Sequence, residues 1–216
     1  MNALRIGFRT WALGVTGMLL ALAACTGGGA DIPGEPPPSP EPGAAIDWAD
    51  RPTETVALNG GFGVIACPGD APFLCVQREG STVGQIEYSS YPALESVGAQ
   101  GLEGRIEDDY SQFTSDRTGC ADGFEVETVE PEEAQVAGRD GMRSEYSVVN
   151  PQGETVERYV KYWLLQDDRV HLLVAEAHEE ASCSPGEGVN FTDEGLTNFE
   201  ESFQRVAALS RFPAGG

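Results

Sequence analysis

Tyr159-Val160-Lys161-Tyr162-Trp163-Leu164-Leu165 and, beyond the turn Gln166-Asp167-Asp168, Val170-His171-Leu172-Leu173-Val174-Ala175-Glu176-Ala177 decide the fold of this 216-residue chain. Successive side chains on a strand point to opposite faces, so a strand with one wet face alternates apolar and polar residues. These two runs alternate little: apolar residues occupy both parities. Strands of that kind are covered on both faces.

Working outward, Asn150-Pro151-Gln152-Gly153 reads as the turn that brings Met142–Val149 into the strand Thr155–Leu165. Asp140-Gly141 reads as a tight turn entering Met142–Val149. Before it come two short strand pieces, one starting at Phe124, Val126 and Val129, the other Ala134-Gln135-Val136-Ala137. Near the start of the domain, Phe62–Cys67, Phe73–Val76 and Gly84–Tyr88 read as three short strands, the third ending before Tyr91-Pro92. Between the two strand groups Leu102, Ile106, Tyr110 and Phe113 recur at helical spacing, and the helix is over by Thr118-Gly119. Gly98, Gly101 and Gly104 weaken its early turns. At the far end Thr192 suits an N-cap, Asp193 and Glu194 suit the first turn, and Leu196, Phe199, Phe203, Val206 and Leu209 form one stripe. The order is strands, helix, meander, helix. It predicts an α+β fold, a three-layer α/β/α sandwich on a mainly antiparallel sheet.

Upstream of residue 54 the composition changes. Arg5 and Arg9 precede an apolar run from Trp11 to Ala24, which is too short and too glycine-interrupted for a membrane span. It closes on Leu22-Ala23-Ala24-Cys25, which matches the bacterial lipobox. The match implies cleavage before Cys25 and diacylation of its sulfur, and two or three acyl chains anchor a protein durably. The expected organisation is a signal peptide over 1–24, a lipidated Cys25 with a Gly/Pro-rich acidic stalk over 25–53, and a globular domain over 54–212. The stalk contains Pro36-Pro37-Pro38-Ser39-Pro40-Glu41-Pro42, an extended, stiff composition. The expected location is the extracytoplasmic face of the cell membrane, with the membrane contacted through the lipid.

The chain carries 13 cations and 35 acids, a net charge of −22. Losing Arg5 and Arg9 with the signal leaves 11 cations against the same 35 acids, or −24. Such a balance argues against nucleic acid and against docking on anionic headgroups. The acidic run Glu107-Asp108-Asp109 lacks the spacing of a calcium loop. No metal and no cofactor are expected.

With Cys25 committed to lipid, Cys67, Cys75, Cys120 and Cys183 remain, an even set that reads as two disulfides in an exported chain. Of the three pairings, Cys67–Cys75 and Cys120–Cys183 are favoured. The first pair flanks Pro68-Gly69-Asp70-Ala71-Pro72, the turn of a hairpin, and the second ties the end of the first helix to the loop before the last. No Cys-x-x-Cys exists to support zinc or redox chemistry.

Catalysis near neutrality usually recruits histidine. His171 sits within a buried-type strand and reads as a satisfied core residue. His178-Glu179-Glu180, at the strand's end beside Cys183, is the better candidate for a binding loop, but it lacks a second histidine for a metalloprotease helix. No nucleophile elbow, P-loop or dinucleotide glycine pattern is present. Tyr88, Tyr91, Tyr110, Tyr159, Tyr162 and Trp163 follow the periodicity of the core. Tyr91 and Trp48 lie outside the clear elements and are expected to be freer to make contacts. Asn190-Phe191-Thr192 fits a glycosylation sequon, but the signal is bacterial and Thr192 already has a capping role.

Helix, meander, the Tyr159–Trp163 and Val170–Ala177 runs, then a Phe-rich terminal helix resemble the PsbP-like fold over roughly residues 54–212. That superfamily includes the extrinsic photosystem II protein, an import factor that binds the Ran GTPase, and lipid-anchored envelope proteins of high-GC Gram-positive bacteria. The resemblance implies a non-enzymatic binding scaffold and carries over no catalytic residue. The function expected is a tethered module that engages an envelope protein or polymer. A carrier of a lipid or small apolar molecule is the alternative, and an acid-dependent hydrolase is the weakest. The working region is expected in the Cys67–Cys75 hairpin and the His178–Phe191 loop, irregular segments held on a rigid scaffold.

Overall fold

The computed structural model describes residues 45–93, 95–118, 123–178 and 189–214, with side chains described throughout except at 95–100 and 118. The elements in chain order are β1 (Ile46–Asp47), β2 (Val56–Ala57), a 3-10 turn (Asn59–Gly61), β3 (Phe62–Ala66), β4 (Phe73–Arg78), β5 (Ser81–Pro92) and α1 (Glu95–Thr118). They continue with β6 (Glu125–Val136), β7 (Arg139–Val149), β8 (Thr155–Gln166), β9 (Arg169–His178), α2 (Asp193–Leu209) and β10 (Ser210–Arg211). Among the described residues, eight strands form one antiparallel sheet in the order β2-β3-β4-β5-β9-β8-β7-β6. Two meanders, β2–β5 and β6–β9, are thus joined through α1, and β9 returns to pair with β5. None of the described helices is long and apolar enough to cross a membrane.

The two-sided burial expected of β8 and β9 is what the core requires. Val160, Tyr162 and Leu164 of β8 join Leu173 and Ala175 of β9 in a cluster with Leu196, Phe199, Phe203 and Val206 of α2. The alternate residues Tyr159 and Trp163 of β8, with Val170 and Leu172 of β9, join a second cluster with Ile106, Leu102, Tyr110 and Phe113 of α1. Each helix therefore presents its apolar stripe to one of the two parities of the same strands.

α2 begins as its sequence dictates: Thr192 Oγ1 accepts the Gly195 N–H at 3.0 Å, and Asp193 and Glu194 occupy the first turn. α1 is interrupted at Gly101, whose φ of 70° is left-handed, in keeping with the glycine-weakened early turns.

Six expectations are corrected. The turn between β6 and β7 is Ala137-Gly138, with φ of 52° and 68°, not Asp140-Gly141. Gly141 lies within β7 opposite Ala134, where a Cβ would run into the Trp163 carbonyl and come within 2.9 Å of Val136 Cγ2. Its glycine serves a close approach between strands. The two short pieces after Phe124 are one strand, β6, with a register shift between Val129 and Glu132 around Pro131. The third strand does not stop before Tyr91-Pro92: β5 runs on to Pro92, paired with Arg169. Finally, the folded part already includes residues assigned to the stalk. β1 pairs in parallel with β10, Ile46 is fully buried, and Trp48 donates its Nε1–H to Ser210 Oγ at 3.0 Å while its ring lies 5.1 Å from Tyr88. Trp48 is therefore a core residue. Tyr91 is likewise engaged, beneath the Arg105 guanidinium at 5.2 Å.

Candidate functional site

Of the residues singled out from sequence, Cys67 and Cys75 are bonded, with their Cα atoms 4.9 Å apart. The hairpin loop they close is also held by Arg51, whose Nη1 donates to the carbonyls of Ala71 (2.5 Å) and Phe73 (3.0 Å) and whose Nη2 donates to Gly69 (3.2 Å). Cys25, Cys120, Cys183, Glu179 and Glu180 lie outside the described residues. His171 is a core residue: its Nδ1 is 3.0 Å from Tyr88 Oη, and its ring stacks 4.6 Å from that of Phe212. Burial lowers its pKa, and Arg169 lowers it further against the opposing Asp167.

His178 ends β9 inside a buried polar network. Tyr159 Oη donates to Glu157 Oε2 at 2.8 Å and lies 2.9 Å from Arg117 Nη2 and 3.0 Å from His178 Nε2. A phenol has one proton, and here Tyr159 shares it with Glu157 as a hydrogen-bond donor. Tyr159 Oη therefore accepts from Arg117, and the direction of its contact with His178 Nε2 is set by the imidazole tautomer. That same nitrogen is 3.3 Å from Glu176 Oε2. Arg117 Nε completes the set at 3.1 Å from Glu157, whose side chain is fully buried. Burial, reinforced by the Glu157 charge, drives the Tyr159 pKa far up, so the hydroxyl stays protonated. The network fastens the end of α1 to β8 and β9. Sequence reasoning missed Arg117, Glu157 and Glu176, although a signal was there: a charged residue on a strand covered on both faces needs a partner.

A second network fastens α2. Arg158 pairs with Glu145 (2.7 Å) and with Glu200, and Arg143 pairs with Glu145 (2.7 Å) and Glu132 (3.2 Å). Burial alone would raise the Glu145 pKa; Arg158 and then Arg143 hold it below the ordinary value. Nearby Tyr162 is pushed up to about 12, mainly by burial.

The open surface lies between α1 and the β6–β7 hairpin. One groove of about 380 Å³ is lined by Ile106, Tyr110, Val129, Pro131 and Tyr146 with Glu103, Glu107 and Glu130. A neighbouring groove of about 720 Å³ shares Glu103 and adds Glu133, Asp140 and the apolar Leu102, Met142 and Leu165. Val129 is 52 % exposed and Leu165 36 %, two of the three large apolar side chains left open among the described residues. Neither lining contains a Lys or Arg. Among the described residues no ion pair reaches Glu103, Glu107, Glu130, Glu133 or Asp140. Of the acidic run read from sequence, Asp109 turns inward to Lys161 at 2.7 Å while Glu107 faces this groove. No group of three or more His, Cys, Asp and Glu side chains among the described residues converges to hold a metal ion.

No family model and no curated protein matches the chain. Among solved structures it is similar to the solution structure of cyanobacterial PsbP (CyanoP) from Synechocystis sp. PCC 6803, at 8 % identity over 69 % of this chain and 80 % of that one, with a TM-score of 0.42.

Proposed function

We propose that this chain is an exported lipoprotein, anchored through Cys25 at the extracytoplasmic face of the cell membrane, whose PsbP-like domain binds an envelope partner without catalysing a reaction. The lipobox and proline-rich stalk support the anchor. The element order, and the way α1 and α2 serve opposite parities of β8 and β9, support a three-layer α/β/α arrangement of PsbP-like type.

One observation carries the binding reading. The groove between α1 and β6–β7 sets the exposed Val129 and Leu165 beside carboxylates that make no ion pair among the described residues, an open surface that suits a partner with both apolar and charged groups. The polar networks around His178 and Arg158, by contrast, consume their charged groups in fastening the two helices to the sheet. Native mass spectrometry of the acylated protein, gently extracted from its membrane, tests the proposal. A second polypeptide at fixed stoichiometry is expected. A reproducible extra mass of lipid size, beyond the covalent acyl groups, would instead make the protein a carrier.

A further inference from the structure

From the α1/β6–β7 groove we infer that the partner is a foreign protein presenting a basic amphipathic segment, with Lys or Arg set around apolar side chains. The inference rests on the binding-module reading and names the chemistry of its ligand. Ile106, Tyr110, Tyr146 and Val129 give the groove an apolar floor and lip. Glu103, Glu107 and Glu130 rim it, all solvent-exposed and none ion-paired among the described residues. Ile106 and Tyr146 are already buried and Val129 is the open apolar side chain here, so a polyamine would meet the rim and leave Val129 exposed, whereas a neutral apolar ligand would cover Val129 beside unmatched carboxylates. A peptide with both kinds of side chain satisfies both.

The chain cannot supply that segment itself. Residues 26–50 contain no Lys or Arg, and neither do 119–122, 179–188 or 215–216. Arg5 and Arg9 leave with the signal peptide in the proposed maturation. A second copy is equally unsuited. Nine of the eleven cations beyond residue 24 already bond or stack within the fold, which leaves the exposed Arg139 and Arg211, and a net charge of −22 opposes self-association. Addition of a strand to the open edge of β6 is hindered by Pro131, which has no N–H, and by the register shift beside it. The segment therefore lies in the groove, across α1 and β6.

The experiment uses the full chain in zwitterionic nanodiscs, with empty nanodiscs subtracted, and two fluorescent helical peptides, one of Leu and Lys and one of Leu and Glu. Binding is followed by anisotropy at about 50 and about 200 mM salt. The Leu/Lys peptide is expected to bind, more weakly at the higher salt. Glu103→Gln/Glu107→Gln/Glu130→Gln should weaken it roughly tenfold or more, the scale of losing a few charge contacts. The control Asp50→Asn/Glu54→Gln/Glu79→Gln removes the same charge from exposed positions outside the groove and should change affinity less than about twofold. Equal losses in both variants would reduce the effect to bulk charge and overturn the inference. So would equal binding of the Leu/Glu peptide, or no binding at all. Should native mass spectrometry still find a fixed partner that the groove variant retains, the basic-segment inference falls while the binding-module reading stands.

Discussion

Lys161 Nζ lies 2.7 Å from Asp109 Oδ2, and this one ion pair ties the middle of α1 to a central strand of the sheet. Lys161 is 7 % exposed, and its ammonium also sits 4.6 Å from the Tyr146 ring centroid. Removing one member of a buried pair leaves an uncompensated charge, which costs far more than removing the pair. Asp109→Ala should therefore lower unfolding stability by about 3 kcal/mol or more. Lys161→Met, which keeps the stem and leaves only the more accessible Asp109 charge to rehydrate, should cost about 1 kcal/mol. Urea denaturation gives both values. The opposite ranking would mean the ammonium is not held by Asp109.

The hairpin closed by Cys67 and Cys75 has two restraints, the bond itself and Arg51 on three loop carbonyls. In the chain-entropy view a loop this short is worth about 2–3 kcal/mol. Cys67→Ser/Cys75→Ser should lose about that much in chemical denaturation. A loss well below 1 kcal/mol would show that Arg51 holds the loop unaided.

His171 gives stability a pH dependence of definite sign. Its pKa is lowered in the folded state from an ordinary value of 6.5, so between the folded value and 6.5 the unfolded chain binds more protons. Its contribution is full above about 6.5 and is lost as pH falls through that window. His171→Phe should flatten the slope of thermal stability against pH there, at the cost of the Tyr88 hydrogen bond. An unchanged slope would place the titration elsewhere.

Gly141 is a packing glycine. Gly141→Ala meets the backbone carbonyl of Trp163, which has no room to yield, and should destabilise by about 1–3 kcal/mol, the usual scale for overpacking. Gly69→Ala meets nothing within 4 Å but carries the strain of a φ near 100°, so it separates backbone strain from overpacking. Near-native stability of the Gly141 variant would mean that β7 and β8 can separate without loss.

What the sequence revealed and what it hid follow from range and redundancy. β8 and β9 were legible because burial on both faces leaves apolar residues on both parities, and α2 because its cap and stripe are local signals. Trp48 was not legible. Its place depends on β1 pairing with β10, a contact between distant parts of the chain that has no period to betray it. Asp140-Gly141 carries the usual composition of a turn, yet that glycine answers to the neighbouring strand, while the real turn uses the weaker signal Ala137-Gly138. The PsbP-like likeness rested on the same element order and remains a proposal for this chain. The groove was hidden for another reason: Glu103, Glu107 and Glu130 are three of 35 acids, and only the juxtaposition of α1 with β6 sets them around Val129 and Tyr146.

The central claim is that a basic partner segment occupies this groove on the living cell. The direct measurement replaces Val129 with photoreactive benzoylphenylalanine in the full-length chain, irradiates intact cells, and sequences the cross-linked peptide by mass spectrometry. Substitution of Glu79, exposed on the β4–β5 turn, is the control. The account predicts one ultraviolet-dependent product at position 129 and none at 79, joined to a Lys- or Arg-bearing segment of another membrane or envelope protein. No product at 129, the same product at both positions, or attachment to a segment without basic residues would contradict it.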